Sequence, residues 1–524
     1  MDNVKKFLEN IAKAVVILAI ALLASSASIQ AYGLPPLLQY VLILSVSIVL
    51  YSLLVKMKFS SKIAMLGALT AYLSIFYVAT RLVQGTILET LKAFIKGEKL
   101  SIFVEGVLKH ITTPIELSYY TLTIIALWTA FITALLLLSA SIVHYFSHSW
   151  FFLENLIPPL SKPLSKYLLG IREFSKLSGV LGVAIAVVIF SVDIVLSPEI
   201  PSLILLFTNV SFNISMIIFS VIQLSLIGTL SENSHFSLMA GAQIGLIVFL
   251  ILLNVIFWKR GITKKFIPLK ERLRIFSVII LSFSITYISL YLLTDMGTLT
   301  LFPYIILMVF FNSILAARIE SEFQVLFIAD KLNISMYRFL SSLVGLGNLQ
   351  EISALAAPIL YLTSNPVLPA ILANIMGIIS TYEKREREKA VNPVLYLPTI
   401  LFMFFLFSAL FLPKYGGEIY EVESFIPEIA IAGLDALYMV FGAAISIVLG
   451  VLHLLAFKYP LNPVAFIVSY LIESYNSILA MALATALKIA CLKILKPKEY
   501  FSAMIIAILA YIALSVAYIA FSIQ

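Results

Sequence analysis

Apolar runs long enough to cross a lipid bilayer recur along almost the whole chain, and polar positions gather between them. A transmembrane helix needs roughly 20 mainly apolar residues, and none of the runs alternates as a barrel strand does. The pattern predicts an all-α integral membrane protein, a polytopic helical bundle of about 14 membrane segments. The clearest runs are 11–31, 36–55, 63–80, 119–145, 179–196, 211–230, 238–258, 275–294, 298–317, 393–412, 429–457 and 501–521.

Composition supports a chain whose main solvent is lipid. Of 524 residues, 61% are hydrophobic and 12% are charged, whereas soluble domains are about half apolar and about a quarter charged. No linker rich in Gly, Ser or Pro and no internal repeat is visible in the sequence. We therefore expect a single membrane domain over 1–524, provisionally divided into halves 1–258 and 259–524.

The charge balance bears on orientation. The chain has 35 Lys and Arg against 27 Asp and Glu, a formal net charge of +8. Because the basic residues fall mostly in short loops, the positive-inside rule explains them better than a nucleic-acid partner does. The loop from Lys259 to Arg274 is the most basic. The pattern predicts a multi-pass protein of the plasma membrane with a cytoplasmic N-terminus and with membrane lipids around it.

Counting runs between basic loops predicts re-entrant hairpins. Three runs lie between the cytoplasmic loop ending at Lys176 and the one beginning at Lys259, and three crossings cannot return to the same side. The simplest remedy is that region 200–230 enters and leaves by one face. Region 352–379, broken by an Asn-Pro step, and region 465–495, broken near Glu473, are two further candidates. Breaks at membrane depth are typical of transporter substrate sites.

Polar residues within apolar runs are the candidates for a substrate or ion pathway. A charge at the bilayer centre costs at least ~2.5 kcal/mol, so such residues usually face the bundle interior and serve a function. Glu473 could pair with His453 or Lys488, and an acidic residue here could equally be structural. The amides lie on the proposed hairpins, where they could bind substrate or satisfy broken backbone. The set is Asp435, Glu473, Asp193, Gln223, Asn365 and Asn374.

The sequence offers no cofactor motif. It contains no P-loop, no HExxH, no nucleophile elbow and no pair of cysteines with zinc spacing, and Cys491 is the single cysteine. His144 and His148 stand four apart, but no further ligand is near in sequence. A pair of histidines holding haem has no repeated spacing to support it. We therefore expect no cofactor, no metal and no enzymatic activity.

These observations favour a secondary active transporter that couples the movement of a small solute to protons or cations. The hairpins at 200–230 and 352–379 would meet near the midplane, with Asp435 or Glu473 as the coupling carboxylate. One alternative is a non-transporting subunit or scaffold of a larger membrane complex, respiratory for example. Another is an intramembrane enzyme acting on lipid-linked substrates. The protein could also associate with copies of itself.

Overall fold

The computed structural model describes residues 175–227, 230–259, 269–293, 305–323, 434–455 and 461–522, with scattered positions between 130 and 142 and at 335 and 339. Every regular element in these parts of the chain is helical. They are α1 (Lys176–Leu196), α2 (Ser202–Leu205), α3 (Val210–Ile227), α4 (Glu232–Lys259), α5 (Leu269–Leu293), a π-helical turn (Ile306–Phe311), α6 (Asn312–Glu322), α7 (Ala436–Leu455), α8 (Pro463–Ser469), α9 (Tyr475–Ile494) and α10 (Pro497–Ser522).

Four helices within the described ranges are long and apolar enough to cross a membrane: α1, α7, α9 and the part of α4 from Asn233 to Ile256. Shorter apolar stretches occur in α3, α5 and α10. This confirms a helical membrane protein. The count of about 14 segments stays a prediction, because the runs at 11–31, 36–55, 63–80 and 393–412 and the region 352–379 lie outside the described residues, and 119–145 lies almost wholly outside them.

Two four-helix units make up most of the described structure, and we call them repeat A (α1 to α4) and repeat B (α7 to α10). In each, a long helix leads to a short one, and two more long helices follow. The contacts between them correspond: α1 packs on α10 as α7 packs on α4, and α3 contacts α8 as α9 contacts α2. The correspondence is one of helix order and contacts, which a sequence without a visible repeat did not indicate.

The two closest helix pairs each join one helix of repeat A to one of repeat B. A Cβ atom added to Gly182 of α1 would lie 2.6 Å from the Ala503 carbonyl oxygen of α10, and the Phe190 and Tyr511 rings follow at 5.5 Å. Residue numbers increase in the same direction along both helices, from the Gly182 contact to the Phe190 contact, so α1 and α10 run parallel. Small residues let backbones approach closely inside a bilayer, where apolar burial no longer drives helices together.

Helices α4 and α7 repeat this arrangement. A Cβ atom at Gly241 would clash with the Met439 carbonyl oxygen, and one at Gly245 would clash with that of Ala443. The opposite faces of α1 and α7 are exposed and apolar, which suits contact with lipid. Exposed members include Val180, Val183, Val187, Leu437, Val440 and Val448.

Helices α3 and α9 pack against each other at the centre in opposite directions. The segment just before α3 contacts the later half of α9 through Thr208 and Lys488. The later half of α3 contacts the helix that precedes α9, through Gln223 and Phe466. Because α3 and α9 hold the same place in their repeats, the two repeats have inverted orientations.

Candidate functional site

The site lies around the two short helices, which interrupt repeat A and repeat B at corresponding places. All four residues of α2 and all seven of α8 are buried. A short buried helix leaves backbone N–H and C=O groups at its ends without partners inside the helix, and inside a membrane these groups need partners from elsewhere in the protein. The side chains that supply those partners are the polar residues of the site.

A carboxylate caps the first turn of α2 from another helix. The residue before α2 is Pro201, which has no side-chain oxygen to offer. Instead Oδ1 of Asp193, near the end of α1, accepts from the Ser202 N–H at 3.1 Å. The Tyr511 hydroxyl of α10 donates to Oδ2 of the same carboxylate at 2.8 Å. Asp193 thus joins α1, α2 and α10.

Three helices satisfy the carbonyl groups at the other end of α2. The side-chain amide of Asn213, on α3, donates to the Leu205 carbonyl oxygen at 2.9 Å. The Tyr500 hydroxyl, on α10, donates to the Leu206 carbonyl oxygen at 2.6 Å. The Lys488 ammonium, on α9, donates to the Thr208 carbonyl oxygen. A cation beside these carbonyls also suits the negative end of a helix.

The second short helix, α8, has mainly neutral partners. Asn462 caps its start, with Oδ1 accepting from the Val464 N–H at 2.9 Å. Gln223 of α3 donates to the Phe466 carbonyl oxygen at 3.2 Å. Tyr470, in the turn that ends α8, packs against His235 of α4 with ring centroids 4.9 Å apart. His235 of α4 and Tyr500 of α10 hold equivalent positions near the start of the last helix of their repeats. Each contacts the end of the short helix of the opposite repeat.

Gln223 and Lys488 occupy equivalent positions in the two repeats. The same number of residues separates Asn209 from Gln223 as separates Ser474 from Lys488, and Asn209 and Ser474 immediately precede α3 and α9. Each side chain crosses to a carbonyl group in the short helix of the opposite repeat or in the turn after it. Both are buried, at 3% and 6% exposure. One contact is made by a neutral amide and the other by a cation.

The link between α1 and α2 meets the link between α8 and α9. The Glu199 N–H donates to Ser477 Oγ at 2.9 Å, and the Glu473 N–H donates to Oε2 of Glu199 at 3.2 Å. Ser474 begins α9 by accepting from the Ser477 N–H. Both glutamates are exposed, so this meeting point lies at the surface end of the site.

The predicted site residues fall in different environments. Asp193 and Gln223 belong to the site described above. Glu473 lies at its exposed end, roughly three and a half turns of α9 away from Lys488. Asp435 is exposed and caps α7, with Oδ1 accepting from the Leu437 N–H at 2.9 Å. Asn365 and Asn374 lie outside the described residues.

Two of the three predicted helix breaks lie within the described residues. A break does occur in region 200–230, between α2 and α3, and in region 465–495, between α8 and α9. These two regions pack together, whereas the sequence paired the first with 352–379, which lies outside the described residues. That either region returns to the membrane face by which it entered stays a prediction.

Sequence reasoning passed over Lys488 as a site residue in its own right, and also Tyr500, Tyr511 and Asn213. The sequence did contain a pattern that marks the two short helices of the site. Pro-x-x-Pro occurs at 198–201 and again at 460–463, each time followed by a short apolar run, a polar break and a long apolar helix. Proline is well tolerated in the first turn of a helix, so a repeated pair of prolines can mark two short helices that begin alike.

Among the described residues, no cluster of three or more His, Cys, Asp or Glu could hold a metal ion. His144 and His148 lie outside those residues. No protein-family model and no curated protein matches the chain.

Proposed function

We propose that the protein is a secondary active transporter, which moves a small solute across the plasma membrane in exchange for, or together with, protons or cations. The observation that carries this proposal is the pair of inverted repeats, each interrupted by a short helix buried against the other repeat. Inverted repeats whose broken helices meet at the centre are a common plan of secondary transporters, because rocking one set of helices against the other exposes the same site to each side in turn.

The contacts at the breaks suit such a movement. Lys488 and Gln223 each bind a backbone carbonyl group of the opposite repeat. A relative displacement of the repeats would break one or both of these hydrogen bonds, and new partners would then be needed for the freed carbonyl groups. A substrate with polar groups, or water that enters with it, would supply them.

The three acidic residues that the sequence suggested for ion coupling differ in what the structure shows around them. Asp435 and Glu473 remain predictions from the sequence. Asp435 already has a structural role as a helix cap, so its loss should affect α7 before it affects transport. Asp193 is half-buried and joins three helices, which makes it a residue that positions α2.

A transport screen with an engineered cross-link tests the proposal. Because Cys491 is the single cysteine, Cys491→Ala gives a cysteine-free background. Glu199→Cys with Ser477→Cys would then link repeat A to repeat B at a point where backbone and side chain are 2.9 Å apart. Proteoliposomes with an imposed proton gradient would be screened for uptake of labelled amino acids, sugars, carboxylates and inorganic ions.

We expect at least one solute to accumulate above the level of protein-free liposomes. Oxidising the double-cysteine variant should abolish that uptake, a reductant should restore it, and each single-cysteine variant should be insensitive to oxidant. Equal uptake by oxidised and reduced double variant would show that the repeats need not move. No uptake of any solute, with copurification of other membrane subunits, would favour the role of a subunit in a larger complex.

A further inference from the structure

We infer that Lys488 carries the coupled proton, an inference that rests on the proposed transport function. The protonated ammonium would hold repeat B to the segment after α2, and loss of the proton would release that segment.

The comparison with Gln223 indicates that this kind of contact does not require a charged side chain. Both side chains satisfy a carbonyl group of the opposite short-helix region, from equivalent positions on α3 and α9. A neutral amide is sufficient at one of the two. A charged side chain inside the bilayer is costly, and a neutral amine is much less so. A cation at a position where an amide could make the same contact is therefore a candidate for a functional role.

Lys488 has no counter-ion among the described residues. The salt bridge found there joins Arg318 to Glu322, on α6. Among the described elements, those that pack most extensively against α9 are α1, α2, α3 and α10, and α3 contains no ionisable residue. Ionisable side chains described on the others and the adjoining segments are Lys176, Asp193, Glu199, Glu473, Lys496, Glu499, Tyr500, Tyr511 and Tyr518, with Tyr475, Cys491 and Lys493 on α9 itself.

Two of these groups, Asp193 and Tyr500, also bind around α2 but have partners other than Lys488. The Asp193 carboxylate binds at the opposite end of α2, where it holds Ser202 and Tyr511. The Tyr500 hydroxyl donates to the Leu206 carbonyl oxygen. With no carboxylate to compensate the ammonium within the described structure, its hydrogen bond to Thr208 is the interaction that depends on the proton.

Thr208 is the residue through which Lys488 holds repeat A. It lies in the break between α2 and α3, its hydroxyl contacts the Asn213 side chain, and it is fully buried. An ammonium donates a stronger hydrogen bond than a neutral amine does. Deprotonation would therefore loosen the end of α2 and the start of α3, and proton binding would favour the arrangement described here. A proton would thereby bias the position of one repeat relative to the other.

Hydrogen–deuterium exchange of the full-length protein in lipid nanodiscs tests this directly. Exchange of backbone amides in 202–213 would be followed from mildly acidic to alkaline buffer and corrected for the intrinsic effect of pH. Wild type would be compared with Lys488→Gln, which installs the residue of the other repeat. Lys493→Gln, at an exposed position on the same helix, is the matched control.

We expect protection of 202–213 in wild type and in Lys493→Gln to fall about tenfold as the pH rises, in line with a weakened hydrogen bond to a charged group. Protection in Lys488→Gln should not change with pH. Constant protection in wild type, or an equal fall in Lys488→Gln, would overturn the inference.

Flux measurements separate this inference from the proposed function. With a solute found by the screen above, Lys488→Gln should lose accumulation in response to a proton gradient by a far larger factor than it loses exchange of that solute down its gradient, and Lys493→Gln should lose neither. Retained proton-driven accumulation would overturn the role of Lys488 while leaving transport intact. If wild type carries no solute, the proposed function fails, and the exchange experiment still decides whether the contact depends on a proton.

Discussion

Repeat A and repeat B use the same geometry at the centre of the molecule with different chemistry. In the described structure, the side chains that bind the backbone of α8 are neutral and include the amides of Asn462 and Gln223 and the hydroxyl of Ser469. Around α2 they include a carboxylate, Asp193, and a cation, Lys488. The geometry therefore requires hydrogen-bond donors and acceptors but not charge. The charges in one repeat point to a task that the other repeat does not share.

The largest expected effect comes from disturbing a helix pair that joins the repeats. In Gly442→Leu, the new Cβ atom would clash with the Leu238 carbonyl oxygen, so α4 and α7 would have to separate. We expect the free energy of unfolding to fall by about 3 kcal/mol or more, measured by thermal unfolding in detergent. Gly179→Leu is the control, since nothing lies within 4 Å of that position. Equal losses in both would mean that close approach is not what stabilises the pair.

Exchanging the two crossing residues tests the comparison more sharply. Gln223→Lys places a second cation in the bundle, and we expect it to lower the free energy of unfolding by ~2.5 to 3.5 kcal/mol. Lys488→Gln should raise it, because the amide can still donate to the Thr208 carbonyl oxygen without a buried charge. Thermal unfolding of both variants at neutral pH measures this. A loss of stability in Lys488→Gln would mean that the cation is structural.

The smallest effect is expected at Asp435. Asp435→Ala removes the cap of α7 and should cost about 1 kcal/mol, whereas Asp435→Asn keeps a capping oxygen and should cost less than about 0.5 kcal/mol. Thermal unfolding measures both. In the flux assay Asp435→Asn should match wild type. Loss of proton-driven uptake in Asp435→Asn, without loss of stability, would return the coupling role to this carboxylate.

Hydropathy predicted the described helices well but did not predict which helices pack together. The run at 179–196 matches α1, and the break near Glu473 matches the interval between α8 and α9. The pairing of α1 with α10 could not be read from hydropathy, because lipid-facing and protein-facing positions inside a membrane are both apolar. Small residues such as Gly182 mark the contact, but they do not identify the partner.

The candidate site was predicted in part, for a related reason. Asp193 and Gln223 stood out as polar residues in apolar runs. Lys488 entered only as a possible partner for Glu473, because proximity in sequence suggested a pairing with its own helix. Its contact, Thr208, lies in the other repeat and becomes apparent only when α2 and α9 are brought together.

The pairing of α1 with α10 also bears on biosynthesis. Gly182 and Ala503 are in contact although more than half of the chain separates them in sequence. A ribosome that adds about 5 to 20 residues per second needs on the order of tens of seconds to make the intervening residues. During that time the first helix of repeat A is in the membrane before its last partner exists. The face of α1 around Gly182 meets lipid or another protein until α10 is made, so this contact between the repeats forms late in synthesis.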